Sequence, residues 1–228
     1  MTRSFTLHVI SNTHWDREWR YSFQQTRMML VDMMDKTLSL LENDVGFKFF
    51  HLDSQTSLLE DYLQIRPEGE KRIQKLVQAG RLFIGPWYCL PDQFMVSGES
   101  LVRNLLLGHR IAGRFGPVLK VGYSPFSWGQ ISQLPQLYAG FGIDTALFYR
   151  GVSKTDTGKA EFIWEGADDT RVLASRFSKL PRCNFWYEIY RPVIFNRQGG
   201  VDDREFHWES PGCPVRFCDP IHYRRDYK

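Results

Sequence analysis

The chain has 228 residues, enough for one sizeable domain with or without a tail. Hydrophobic residues (43%) and charged residues (24%) stand in globular proportions, which argues against a disordered chain. The net charge of +3 is too small to suggest a nucleic-acid partner, and no basic block with interleaved aromatic residues occurs. The sequence shows neither a signal peptide nor an apolar run that could cross a membrane, so we expect a cytoplasmic protein without a membrane partner.

Strand patterns alternate with helix patterns along the first two thirds of the chain. The predicted strands cover residues 5–10, 47–52, 81–85, 118–123 and 145–149, and the predicted helices cover residues 25–41, 57–65, 68–79, 100–114 and 131–139. An antiparallel hairpin is predicted at residues 161–164 and 171–174. This alternation indicates parallel β–α–β units. We therefore expect an α/β fold, with a mostly parallel sheet or an incomplete β/α barrel and flanking helices.

The periodic patterns fade near residue 178. Residues 196–228 mix charges, glycines, prolines and cysteines without the period of a helix or a strand. We predict an α/β domain over residues 1–178 and an atypical tail over residues 179–228, either poorly ordered or foreign to the fold.

His14 and Asp16 follow the first predicted strand and are separated by one residue. In an extended segment, side chains at positions i and i+2 point the same way, so an imidazole and a carboxylate would converge there. Nitrogen and carboxylate oxygen are donors that suit zinc or a similar divalent cation. The alternative interpretation is a surface histidine and an aspartate that caps the next helix.

Further polar residues follow the other predicted strands. Asp53, Asp92, residues 124–129 and Arg150 come after the second, third, fourth and fifth strands. Because the carboxyl ends of parallel strands meet at one edge, we expect these residues on one rim with the histidine and aspartate of the first strand. Each acidic residue alone could be a helix N-cap. Several of them on one rim favour a ligand site.

The segment Asn12-Thr-His-Trp-Asp-Arg-Glu-Trp19 resembles the opening zinc motif of glycoside hydrolase family 38, the retaining α-mannosidases. The bacterial mannosylglycerate-hydrolase-like branch is the most similar. The resemblance covers residues 5–178 in order and continues through seven further motifs: Leu52–Thr56, Gly85–Asp92, Ser97–Leu105, Gln133–Gln136, Gly140–Asp144, Tyr149–Gly151 and Phe162–Gly166.

This resemblance implies a zinc cofactor and an α-mannoside substrate. His14 and Asp16 match two of the family's zinc ligands. In the family mechanism, one carboxylate attacks the anomeric carbon, and a second carboxyl group acts first as an acid and then as a base.

The resemblance also suggests which residues contact the sugar. Trp19 matches the aromatic residue that stacks against it, and Arg150 matches the arginine that faces the nucleophile and the substrate. Asp53 and Asp92 are candidates for substrate binding or for support of the zinc ligands.

Two departures from the family pattern concern activity. The family's nucleophile is an aspartate that also binds zinc, but residues 125–129 read Pro-Phe-Ser-Trp-Gly, so Phe126 stands in its place. A phenyl ring can neither attack a sugar nor bind zinc. Family members are also several times longer. We therefore predict the truncated N-terminal domain of a larger multidomain enzyme, inactive alone, whose missing domains another chain could supply.

Three other interpretations stay open. A non-catalytic mannoside-binding module would keep Trp19 and the acidic rim. A gene remnant would explain the aperiodic tail. A zinc-dependent polysaccharide deacetylase would leave the long family motifs unexplained.

Overall fold

The structure, a computed structural model, describes residues 9–19, 21–125, 128–148, 151–152 and 157–176. The chain divides into two units, residues 1–176 and residues 177–228, and every described residue belongs to the first. Phe126, Arg150 and the predicted tail over residues 179–228 lie outside the described residues. The boundary at residue 178 therefore stays a prediction.

The helices lie close to their predicted bounds. They are α1 (Phe23–Asn43), α2 (Ser57–Leu63), α3 (Glu70–Gln78), α4 (Gly98–Gly113) and α5 (Leu134–Gly140), with a 3-10 turn at Pro67–Gly69 before α3. α1 begins earlier than predicted because Ser22 and Gln25 form a capping box. Gly80, with φ of 65°, follows the end of α3, where a left-handed residue commonly terminates a helix. Among the described residues, no helix is both long and apolar enough to cross a membrane.

Six strands form two sheets. The strands are β1 (Phe50–His51), β2 (Leu82–Phe83), β3 (Gly122–Tyr123), β4 (Thr145–Phe148), β5 (Glu161–Glu165) and β6 (Arg171–Arg176). β1 and β2 pair in parallel, and the second sheet has the order β3-β4-β6-β5. β3, β4 and β6 are parallel, whereas β5 is antiparallel to β6. The predicted hairpin is thereby confirmed.

Backbone contacts outside the strands connect these sheets in chain order. Asn12 forms a parallel bridge with His51, and the Leu119 N–H donates to the Ile84 carbonyl (3.0 Å). The segments joined by backbone hydrogen bonds therefore follow one another in chain order, from residue 12 through β1, β2, β3 and β4 to β6. A β/α barrel has such sequential neighbours, whereas a doubly wound sheet reverses the order at a switch point. The predicted α/β class is confirmed, and the strand order favours the incomplete barrel.

Three of the strands are much shorter than the apolar runs predicted. β1, β2 and β3 each contain two residues, against six, five and six in the predicted ranges. After β2, the Trp87 backbone still pairs with Ser54 and Thr56, and side chains then join the backbone as hydrogen-bond partners. The Tyr88 and Cys89 amides, for example, donate to Asn104 Oδ1 (2.8 and 3.2 Å). The chain thus leaves the sheet early and forms the rim that the strands support.

Two apolar clusters bury one face of each helix. The first is formed mainly by α1, α2 and α3 with β1 and β2, and the second mainly by α4 and α5 with β4 and β6. α4 contributes to both, through Ile111 and Leu105 respectively. Between them, a β-carbon added at Gly108 would lie 2.2 Å from the Pro86 carbonyl oxygen. The absence of a side chain at Gly108 therefore allows α4 to lie directly against the rim segment after β2.

Candidate functional site at the strand-end rim

Asp53 is the central residue of the part of the rim that lies near residues 14–16. It directly follows β1 and the buried Leu52, and its side chain is fully buried. Asp53 and Ser54 both have left-handed backbone angles, with φ of 40° and 57°. Aspartate tolerates this region better than most residues because its short polar side chain can bond locally. The turn directs the carboxylate back toward residues 14 and 15.

One oxygen of Asp53 accepts three hydrogen bonds. Its Oδ2 lies 3.0 Å from His14 Nδ1, 2.8 Å from the Trp15 amide nitrogen and 2.7 Å from Gln55 Nε2. Burial raises the pKa of the Asp53 carboxyl, and the hydrogen bonds from these donors oppose that rise. Gln55 Nε2 also lies 2.9 Å from the Trp15 carbonyl oxygen. Residues 14 and 15 are therefore fixed to the end of β1.

His14 connects two carboxylates. Its Nδ1 faces Asp53, and its Nε2 lies 3.2 Å from Asp16 Oδ1. Burial lowers the pKa of His14, but the hydrogen bonds and charges of Asp16 and Asp53 outweigh burial and raise it to about 9. The two carboxylates therefore favour the protonated, positively charged form of the His14 ring.

The types of donor fit a zinc ion, but their number is small. Nitrogen and oxygen ligands placed 2.0–2.1 Å from a tetrahedral zinc lie about 3.3 Å apart, close to the observed 3.2 Å separation. Asp53 on Nδ1 is the kind of carboxylate partner that orients a zinc-bound histidine. Among the described residues, however, no three His, Cys, Asp or Glu side chains are placed to hold one metal ion. His14 and Asp16 thus offer one nitrogen and one oxygen donor, fewer than the three or four protein ligands of stable zinc sites.

We call His14, Asp16, Asp53 and Gln55 the first corner of the rim. A second corner lies after β3, where Gln93 is 2% exposed and contacts both ends of the loop that follows this strand. Its Nε2 donates to Ser124 Oγ (2.9 Å) and Gln130 Oε1 (3.0 Å), and its Oε1 accepts from the Ile131 amide (3.0 Å).

The two corners are connected along the rim. Gln55 Oε1 accepts a hydrogen bond from the Leu90 amide (3.1 Å), three residues before Gln93. The rings of His51 and Tyr123 also meet edge to face, with centroids 4.9 Å apart. The corners therefore belong to one rim, as the parallel sheet predicts.

The structure brings together three of the residues predicted from the sequence: His14, Asp16 and Asp53. Trp19 lies on the same segment with 65% of its surface exposed. Asp92 lies between Leu90 and Gln93, and its buried Oδ1 has no hydrogen-bond partner among the described residues. Phe126 and Arg150 lie outside the described residues, so their predicted places are untested.

Sequence reasoning missed the residues that hold this group in place. Arg17 forms two hydrogen bonds with Asp61 of α2, through Nε to Oδ2 (2.7 Å) and Nη2 to Oδ1 (2.8 Å). Gln55 and Gln93 fix the two corners. Gln55 carried one weak signal, because it belongs with Asp53 to the family motif Leu52–Thr56.

Comparison with known proteins assigns the chain to a family. The family model "Glycosyl hydrolases family 38 N-terminal domain" matches residues 4–208. The chain belongs to this family. The match confirms the resemblance predicted from the motifs, and it extends beyond residue 178.

Relatives within family 38 are much longer than this chain. The chain is 44% identical over 180 residues to "Putative mannosylglycerate hydrolase" of Halalkalibacterium halodurans, covering 74% of this chain and 20% of that protein. It is 29% identical over 173 residues to "Alpha-mannosidase" of Saccharomyces cerevisiae, covering 73% and 16%. A crystal structure of an alpha-mannosidase from Enterococcus faecalis V583 matches with 41% identity and a TM-score of 0.71, covering 74% and 20%. This family 38 chain therefore spans about a fifth or less of these relatives' length.

Proposed function

We propose that this chain forms the first part of a family 38 α-mannosidase site, with an incomplete zinc-binding set. The observation that carries the proposal is His14, held by Asp53 on Nδ1 and facing Asp16 with Nε2. His14 and Asp16 would hold the zinc ion, and Asp53 would orient the imidazole. A bound zinc ion supplies a Lewis acid for the hydroxyl groups of the sugar. Trp19, which is largely exposed on the same segment, would stack against the mannose ring.

Retaining hydrolysis requires a nucleophilic carboxylate in addition to an acid–base carboxyl group. Phe126 stands where the family pattern has the nucleophile, and residues 124–130 contain no acidic side chain at all. We therefore expect no hydrolysis by this chain alone. Turnover of an aryl α-mannoside above the buffer rate would contradict this expectation.

Zinc titration tests the incomplete ligand set. Two protein ligands fall short of the three or four in stable zinc sites, so we expect weak binding that is far from saturation at equimolar zinc. The loss of that binding in His14→Ala would identify the site. Replacing Phe126 with Asp should strengthen binding at least tenfold, whereas Phe126→Asn should strengthen it less because an amide is a weaker zinc ligand. Tight stoichiometric binding by the unmodified chain would contradict the proposal.

A second candidate is a mannoside-binding module without catalysis. The exposed Trp19 beside a polar group favours it, because an aromatic face and hydrogen-bonding groups together suffice to hold a sugar. Binding of methyl α-mannoside, measured by calorimetry, without any hydrolysis would favour this function. The absence of both binding and hydrolysis would leave the chain without a sugar-related function of its own.

A further inference from the structure

Arg17 lies between Asp16 and Trp19, on the segment that carries the proposed zinc and sugar contacts. Its guanidinium forms a bidentate ion pair with Asp61 of α2, with distances of 2.7 and 2.8 Å. The Asp61 side chain is only 7% exposed, and that of Arg17 is 38% exposed. A bidentate pair of this kind fixes both the distance and the orientation of the two side chains.

Neighbouring groups hold this pair in turn. Arg27 Nε donates to the backbone carbonyl of Asp61 (3.0 Å). The guanidinium carbons of Arg17 and Arg27 lie 4.9 and 5.8 Å from the centroid of the Phe23 ring. Cation–π attraction at these distances adds to the ion pair. The segment is thus connected to both α1 and α2.

Asp16 stands between two fixed neighbours. On one side, the Trp15 amide donates to the buried Asp53 (2.8 Å), and on the other side Arg17 is bound to Asp61. With both neighbours held, the backbone of Asp16 has little freedom to rotate. Its carboxylate is therefore kept 3.2 Å from His14 Nε2.

We infer that Arg17 and Asp61 are a positioning pair for Asp16 and Trp19. Neither residue belongs to the proposed zinc or sugar contacts, because the Arg17 guanidinium is bound to Asp61. The pair acts through the backbone of residues 15–19, because it fixes where this segment crosses α2. The consequence for zinc rests on the proposed function, whereas the consequence for the backbone does not.

The test replaces the pair with neutral side chains of similar shape, in the double variant Arg17→Gln/Asp61→Asn. The double change avoids leaving a buried charge without its partner. We expect hydrogen exchange of the Trp15 amide, followed by NMR, to accelerate about tenfold or more. We expect zinc affinity to fall about 10- to 100-fold, as it does when supporting residues around a metal are lost. Arg17→Lys keeps the charge but not the bidentate geometry. Its Trp15 exchange rate and its zinc affinity should lie between those of the unmodified chain and those of the double variant.

A matched control is available between α1 and α3. Arg72 binds Glu42 with the same bidentate geometry (2.9 and 2.7 Å). The variant Arg72→Gln/Glu42→Gln should leave exchange at Trp15 unchanged, which separates positioning from a general loss of stability. Equal Trp15 exchange in the two double variants would overturn the inference. If Trp15 responds only to the Arg17 variant but the unmodified chain binds no zinc, the positioning pair stands and the zinc proposal fails.

Discussion

The two corners of the rim are built alike but differ in charge. In each, a buried glutamine bridges segments that are distant in sequence: Gln55 contacts Trp15 and Leu90, and Gln93 contacts Ser124 and Ile131. The first corner places an imidazole between two carboxylates. The second corner is held by amide and hydroxyl groups, and residues 124–130 contain no Asp, Glu, His or Cys.

The two corners thus differ in whether their buried side chains only support the structure or also act electrostatically. Buried amides can fix a loop without an electrostatic effect on neighbouring ionisable groups, because they satisfy hydrogen bonds while remaining neutral. The buried carboxylate of Asp53 does both, since it fixes Trp15 and also favours a positive charge at His14. In the resemblance to family 38, the sequence position of the nucleophile is Phe126, which lies outside the described residues. The segment of residues 124–130 contributes no acidic group to the second corner.

The largest effect should follow from removing Asp53. In Asp53→Ala, three donors around Oδ2 lose their acceptor inside the protein, and we expect a loss of about 4 kcal/mol in unfolding free energy. Urea denaturation measures this loss. Asp53→Asn is the control, because an amide oxygen still accepts and asparagine tolerates the left-handed backbone. A loss of less than about 0.5 kcal/mol in the alanine variant would show that the carboxylate does not hold the first corner.

His51, which joins the corners through its contact with Tyr123, should make the fold sensitive to acid. Burial lowers the pKa of His51 to about 4, below the ordinary value of 6.5. The folded state therefore prefers the neutral ring, so its stabilising contribution is fully present above pH 6.5. This contribution is lost as the pH falls toward 4, and it amounts to about 3 kcal/mol.

Urea unfolding at several pH values checks this sensitivity. Carboxylates also titrate near pH 4, so the informative quantity is the difference between the unmodified chain and His51→Gln. The glutamine cannot become charged, and its amide can still contact Ser54, which lies 3.0 Å from His51 Nε2. The difference in stability should shrink as the pH falls from 6.5 to 4. A difference that is independent of pH would contradict a buried, neutral His51.

Gln93→Met should lower the unfolding free energy by less than Asp53→Ala does, and its effect should be confined to the second corner. The thioether has a similar shape but leaves the hydrogen bonds to Ser124, Gln130 and Ile131 unmade, for an expected loss of about 2 kcal/mol. Urea denaturation measures the stability. Zinc binding and exchange of the Trp15 amide should not change, because Gln93 bonds to neither His14 nor Asp53. A parallel loss of zinc binding would show that the corners are coupled.

The sequence predicted the helices well, and it predicted that His14, Asp16 and Asp53 lie close together. Helix periodicity placed α1 within two residues at each end, and the spacing of His14 and Asp16 predicted that their side chains would converge. Strand lengths were overestimated for β1, β2 and β3. An apolar run in the sequence indicates that residues are buried. It does not show where strand pairing ends, and here pairing ends where the backbone turns toward the rim.

The contacts that complete the first corner had no comparable signal. Asp53 and His14 are 39 positions apart in the sequence. Their contact depends on a left-handed turn at Asp53 and Ser54, which the hydrophobic periodicity does not predict. Arg17 and Asp61 are 44 positions apart. An isolated arginine or glutamine in a sequence resembles a solvated surface residue. Its role becomes visible only when the fold buries its partner.

The smallest effect on stability, and the clearest effect on binding, should come from Trp19→Ala. Trp19 is 65% exposed, so its truncation should change the unfolding free energy by less than about 0.5 kcal/mol. If the mannose ring stacks on it, calorimetric binding of methyl α-mannoside should nevertheless fall about tenfold or more, since stacking contacts contribute mainly to the complex. Trp128 is the matched control, because it is similarly exposed (74%) but lies at the second corner. A larger loss from Trp128→Ala would place the sugar at the neutral corner, where neither His14 nor Asp16 could bring a cation to its hydroxyl groups.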